Sequence, residues 1–210
     1  MEQLLQELEE LRKSPVKNAV GRRIKEFEAA GKKNAHGIFS ELCFCILTAN
    51  FNAEKTIRIQ REMGGGFLSL PEKKLAGKLK ALGHRYPNAR ASYIAEARGH
   101  CKRLPEKLRR FASEAEARNW LADNVKGLGY KEASHFLRNI GFRNLAIIDF
   151  HIVDLLARRG LIEKPKAKSL TRKRYLEIER LLGRIAEKAR LNLAELDLYL
   201  WFMETGKILK

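Results

Sequence analysis

Cysteine is scarce in this sequence, and none follows Cys101. Cys43, Cys45 and Cys101 are too few and too irregularly spaced for a disulfide framework or a metal-binding motif. Cys43 and Cys45 lie two apart on a predicted helix and so point to different faces. The expected state is the buried thiol of a reducing cytoplasm. Alternation of apolar and polar residues is missing too, which excludes half-buried strands. Nor is any apolar run long enough to cross a membrane, since the most apolar, residues 38–51, is interrupted by Ser40 and Glu41. The N-terminal MEQLLQELEELRK is acidic and amphipathic, without the layout of a secretory signal. Acidic residues are the last shortage: 25 Asp and Glu face 42 Lys and Arg, a formal net charge of +17. That excess runs from Arg12 to Lys210 and favours a polyanionic partner, DNA, RNA or an anionic membrane. A well-solvated thermophile surface is the competing reading, but such a surface carries both signs in balance.

What is present is helical periodicity almost throughout. The spacing predicts helices over about 2–12, 15–30, 37–50, 53–62, 71–81, 88–101, 113–124, 131–141, 149–159, 171–190 and 192–204. Ser69 to Glu72, Ser113 to Glu116 and Asn192 to Glu195 each fit a capping box, the first with Pro71 at the opening helical position. Gly31, Gly83, Gly141 and Gly160 fall where helices should stop. The lysine-rich, proline-interrupted segment 163–171 reads as an exposed loop. The fold class is all-α.

Chemistry concentrates in VKGLGYKEASHF, residues 125–136, which joins two predicted helices. Gly127 and Gly129 permit positive φ and close approach of another chain, while Leu128 tucks between the helices. The second helix then presents free N–H groups and the positive end of its dipole, a seat for a phosphate. Such a hairpin grips the DNA backbone without reading sequence. Lys131 stands on the first turn, where the dipole disfavours a cation. That suits a lysine that must lose its proton to act as a nucleophile, and a plain phosphate contact is the simpler alternative. Downstream, RNLAIIDFHIVDLL places Asp149 after an apolar run at the start of a helix. Aspartate there is a good N-cap. It can equally face Lys131 across a cleft, relay a proton and stabilise positive charge on a deoxyribose ring.

GLGYK followed eighteen residues later by the aspartate of IIDFH resembles the helix-hairpin-helix, Gly/Pro-rich, aspartate-containing superfamily of DNA glycosylases. That resemblance implies Lys131 as nucleophile and Asp149 as the essential acid. FSELCFCILTANFN, residues 39–52, resembles the superfamily's buried helix and following loop, which implies that Asn50 fills the gap left by the extruded base. The absence of cysteine after Cys101 departs from the cluster-bearing endonuclease III-like members. The N-terminal β domain of the eukaryotic-type 8-oxoguanine enzymes has no counterpart before residue 31. From about residue 20 to the last residue the chain resembles the compact 8-oxoguanine DNA glycosylase/AP lyases of archaea and some thermophilic bacteria. GHRYPNARASYI, with Tyr86, and the ending LWFMETGKILK, with Trp201 and Lys210, carry that narrower likeness. Lys126 stands where many relatives have proline.

The resemblance implies two helical domains around a DNA cleft, residues 31–143 with the hairpin, and residues 1–30 plus 144–210. It implies excision of 8-oxoguanine and strand cleavage by β-elimination through a lysine Schiff base, with Tyr86, Trp201 and Lys210 at the base. No cofactor or catalytic metal is implied, only a monovalent cation at the carbonyls of Val125 and Leu128. The expected partner is double-stranded DNA containing an oxidised purine, acted on by a cytoplasmic, nucleoid-associated monomer with no membrane or obligate protein partner. An oxidised-pyrimidine glycosylase/lyase and a non-catalytic hairpin module are the alternatives.

Overall fold

The computed structural model of the chain describes residues 1–165, 167 and 169–210. Among them the chain forms thirteen α-helices, one 3-10 turn and no strand, as an all-α reading requires. The first seven helices are α1 (Glu2–Lys13), α2 (Val16–Gly31), α3 (Ala35–Thr48), α4 (Ala53–Met63), α5 (Gly66–Ser69), α6 (Glu72–Ala81) and α7 (Pro87–Ala97). The last six are α8 (Leu104–Arg109), α9 (Glu114–Asn124), α10 (Tyr130–Asn139), α11 (Phe150–Arg158), α12 (Arg172–Lys188) and α13 (Leu193–Thr205).

Two hydrophobic cores organise these helices. The first surrounds α3, whose residues Phe39, Leu42, Phe44, Ile46 and Leu47 are fully buried. A helix apolar on every side is wrapped by others, and each such side chain contributes roughly 1.5–3 kcal/mol. Cys43 and Cys45 are therefore both buried despite facing different ways, and burial pushes both thiols well up, which makes them inert. The second core joins α1 and α2 to α11, α12 and α13. Residues 145–148 cross from one core to the other, Leu145 packing in the first and Ala146 and Ile148 in the second. Gly31, expected only as a stop, also permits contact between the two: a Cβ there would lie 2.1 Å from the Ile140 carbonyl oxygen.

Local signals place most helix starts. Ser113 and Asn192 accept the N–H of Glu116 and Glu195, and Asn192 completes a reciprocal box. Ser69 does not cap as expected. It ends α5 and donates its hydroxyl to the Gly65 carbonyl, while Pro71 is itself the N-cap of α6. The expected 88–101 helix stops at Ala97 and tightens into a 3-10 turn. Of the lysine-rich segment 163–171, Lys166 and Lys168 lie outside the described residues, and Glu163 and Lys164 are exposed. No helix among the described residues is long and apolar enough to cross a membrane.

Candidate active site

The α9–α10 hairpin turns on two glycines with different duties. Gly127 has φ of 88°, and a Cβ there would lie 2.5 Å from the Tyr93 ring, so both conformation and space demand glycine. Gly129 is extended and caps α10, with the Glu132 carboxylate accepting its N–H at 3.2 Å. Leu128 is buried between the helices. The Val125 carbonyl accepts the Leu128 N–H at 3.1 Å, which closes the turn.

Lys131 and Asp149 line one cavity of about 1300 Å³. Lys131 is a quarter exposed and its ammonium pairs with Glu132 at 3.1 Å. It makes no ion pair with Asp149, whose carboxylate accepts the Ile152 N–H at 3.0 Å as the N-cap of α11. The capping and cleft-facing readings of Asp149 therefore coexist, since a cap leaves a second carboxylate oxygen.

Two buried ion pairs fix these elements against one another. Arg118 of α9 meets Glu179 of α12 at 2.5 Å, and Glu179 also accepts the Ala146 N–H at 2.9 Å. The Tyr175 hydroxyl donates to the Ala146 carbonyl at 2.7 Å and accepts the Ile148 N–H at 3.3 Å. Residues 146–148 are thereby bolted down just before Asp149. Arg138 of α10 meets Asp197 of α13 at 2.5 Å. Burial, joined by the charge of Asp149, raises the Asp197 pKa to about 6 even though Arg138 and Lys131 oppose the shift. Asp197, Arg138, Lys131 and Asp149 all line the cavity.

The remaining expected residues divide. Asn50 lines the cavity, exposed, in a left-handed conformation with φ of 56°. Trp201 also lines it, its indole N–H buried without a partner among the described residues and its ring edge-on to His151 at 5.0 Å. Leu209 and Lys210 bring the chain terminus to the same wall. The Lys210 ammonium turns into that wall, 2.9 and 3.0 Å from the two Glu41 oxygens and 4.4 Å from the Phe44 ring centroid. Tyr86 does not line the cavity. It is exposed beneath the guanidinium of Arg85, which does.

Sequence reasoning missed His135, Asp197 and Glu41. His135 is buried, lines the cavity and leaves Nε2 unpartnered among the described residues. Burial, together with the nearby cations Arg138, Lys131 and Lys210, holds its pKa well below the ordinary value, so the imidazole is neutral. Its position four residues after Lys131, on the same helix face, was the available signal.

A basic, all-α chain whose hairpin lysine shares one cavity with the aspartate opening a later helix has the fold of the helix-hairpin-helix DNA glycosylases. Residues 20–191 match the family model described as 8-oxoguanine DNA glycosylase, and the chain belongs to that family. It is 50% identical over 210 residues to the 8-oxoguanine DNA glycosylase/AP lyase of Korarchaeum cryptofilum, covering 100% of this chain and 99% of the relative. The crystal structure of the Methanocaldococcus jannaschii 8-oxoguanine glycosylase/lyase with a 15mer DNA containing 8-oxoguanine superposes with a TM-score of 0.95. It is 49% identical and covers 99% of this chain and 100% of its own. The Thermotoga maritima 8-oxoguanine DNA glycosylase gives a TM-score of 0.92 at 44% identity, covering 100% and 99%.

Proposed function

We propose that this protein excises 8-oxoguanine from double-stranded DNA and cuts the strand at the resulting abasic site through a lysine Schiff base. The observation that carries the reading is the convergence of Lys131 and Asp149, from either side of the 145–148 crossing, on one large cavity. The relatives' names and the +17 charge agree with it.

The lesion must leave the stack, at a cost of a few kcal/mol, because C1′ is out of reach inside a duplex. The backbone at Gly127, Leu128 and Gly129 holds the strand by its phosphates while Asn50 enters the gap. The Lys131 amine attacks C1′, the glycosidic bond breaks with its electron pair going to the base, and the base takes up the proton that the attacking nitrogen releases. Ring opening gives the imine. Loss of a C2′ proton then expels the 3′ phosphate and cuts the strand. Asp149 orients the amine and stabilises the positive charge that develops on the sugar.

8-Oxoguanine differs from guanine by an N7–H donor and a C8 carbonyl. Trp201 offers a flat face, worth roughly 1–3 kcal/mol for a stacked base. Lys210, its ammonium held by Glu41, lies on the same wall and stands against the base. Tyr86, outside the cavity, serves at the duplex rather than within the base pocket. Apart from Leu145, the two cores correspond in this reading to domains 31–143 and 1–30 plus 144–210, and the protein acts as a monomer on cytoplasmic, nucleoid DNA. Borohydride should trap a covalent complex on an 8-oxoguanine duplex. Lys131→Gln should abolish trapping and keep duplex binding, and a trapped Gln variant would remove Lys131 as nucleophile.

A further inference from the structure

His84 is buried beneath the cavity rim, and both of its ring nitrogens are engaged. Nδ1 accepts the N–H of Tyr86 at 3.1 Å, so it carries no proton. Nε2 must therefore carry it, and donates to the Leu47 carbonyl at 3.0 Å. Only the neutral Nε2–H tautomer makes both bonds, and burial holds the His84 pKa below its ordinary value. The Phe51 ring lies against the imidazole at 4.3 Å.

These contacts join two loops that are distant in sequence. Leu47 lies in the last turn of α3, where carbonyls lack helical partners, and leads into residues 49–52 with Asn50. Residues 82–86 end with Arg85 and Tyr86. A second link runs in parallel, the Arg90 guanidinium donating to the Ala49 carbonyl at 2.6 Å with its cationic carbon 5.8 Å from the Tyr86 ring centroid. The loop so held turns on Asn50 at φ of 56°, a left-handed conformation that asparagine takes more readily than most residues. Neither His84 nor Arg90 lines the cavity.

We infer that His84 is a positioning residue that locks the Asn50 loop and the Arg85–Tyr86 loop into one rigid unit, so that both engage the duplex opposite the extruded base together. The inference rests on the reading that these loops meet the duplex. An ordinary helix cap would stabilise the fold without favouring one substrate. A lock between two duplex-facing loops matters only when a complementary strand is present.

The test compares single-turnover excision of 8-oxoguanine from a duplex and from the same strand alone. His84→Phe keeps a ring and removes both bonds, and His84→Gln keeps a donor for Leu47 while losing the Tyr86 acceptor. His84→Asn restores an acceptor for the Tyr86 N–H, in the geometry of an Asx turn. The Phe and Gln variants should lose about tenfold or more on the duplex, since small misplacements are costly, and hold the single-strand rate. The Asn variant regains the local turn but not the bond to Leu47, so it should lose duplex rate with them, and a wild-type duplex rate there would overturn the lock. The unchanged single-strand rate certifies a folded catalytic site, and Gln carries the test if Phe does not fold. Equal loss on both substrates, or wild-type duplex rates in Phe and Gln, overturns the inference. Asn50→Ala and Tyr86→Ala should also lower the duplex-to-single-strand ratio. If they do and the His84 variants do not, the lock alone is wrong. If neither does, the reading of the loops fails and the lock falls with it.

Discussion

Glu179→Ala should damage this protein far more than loss of one carboxylate from a helix usually does. Arg118 has a side chain only 1% exposed, and among the described residues Glu179 is its one carboxylate partner, with the Ser134 hydroxyl at 3.5 Å. Removing one member of a buried pair leaves an uncompensated charge and costs about 3–5 kcal/mol. The Ala146 N–H loses its acceptor as well, a further ~1–3 kcal/mol that overlaps the first because both groups share one carboxylate. A net loss of about 4 kcal/mol is expected. Glu179→Gln keeps one acceptor and should cost roughly half as much, about 2 kcal/mol. The double variant Arg118→Met/Glu179→Leu buries no charge and should return to within about 2 kcal/mol of wild type, despite two substitutions. Equilibrium unfolding in guanidinium chloride measures all three, and the double-mutant cycle isolates the coupling. Because Glu179 also holds the segment leading into Asp149, the Ala variant should excise slowly even under conditions where it is fully folded. A cost below about 1 kcal/mol for Glu179→Ala, or a double variant no better than the single, would show that the buried pair does not hold the helices together.

Asp149→Asn should preserve the α11 cap, since asparagine also caps well, and lose most single-turnover excision; near-normal turnover would leave Asp149 a cap only. Gly127→Ala should destabilise the fold by about 1–3 kcal/mol and weaken duplex binding, as a Cβ at φ of 88° meets the Tyr93 ring; unchanged melting and binding would contradict the turn geometry. Asp197, its pKa raised to about 6 in the folded protein, takes up a proton between about pH 4 and 6 that the unfolded chain does not bind. Wild type should therefore gain stability relative to Asp197→Asn as pH falls through that window, and parallel melting curves would deny the shift. Deleting Lys210 should reduce 8-oxoguanine excision far more than cleavage at a plain abasic site, which has no base to recognise; equal loss on both would exclude the terminus from base recognition.

Much of the fold was legible in local patterns. Helical periodicity marked most elements, and Ser113 and Asn192 announced their helices because a cap is completed within four residues. Ser69 misled for the same reason: its spacing fits a cap, but the short α5 claims it and Pro71 opens α6 instead. The Gly-Leu-Gly turn, Lys131 and Asp149 were legible because each is placed by the turn or cap beside it.

The partners were not legible, because they are chosen by packing rather than by neighbours along the chain. Glu41 and Lys210 lie 169 residues apart and meet only because the terminus crosses α3. Arg118 finds Glu179, and His84 ties Leu47 to Tyr86, across helices whose order in space no local pattern records. No local pattern marks Asp197, and its pKa reaches about 6 only through burial, helped by the charge of Asp149 and opposed by that of Arg138. Turns and caps depend on a few adjacent dihedral angles, so local sequence was enough to set Lys131 behind its glycine turn and Asp149 at its helix cap. The tertiary structure decided which charges are desolvated, which are paired and which face one cavity, because these depend on distances between segments far apart in the chain.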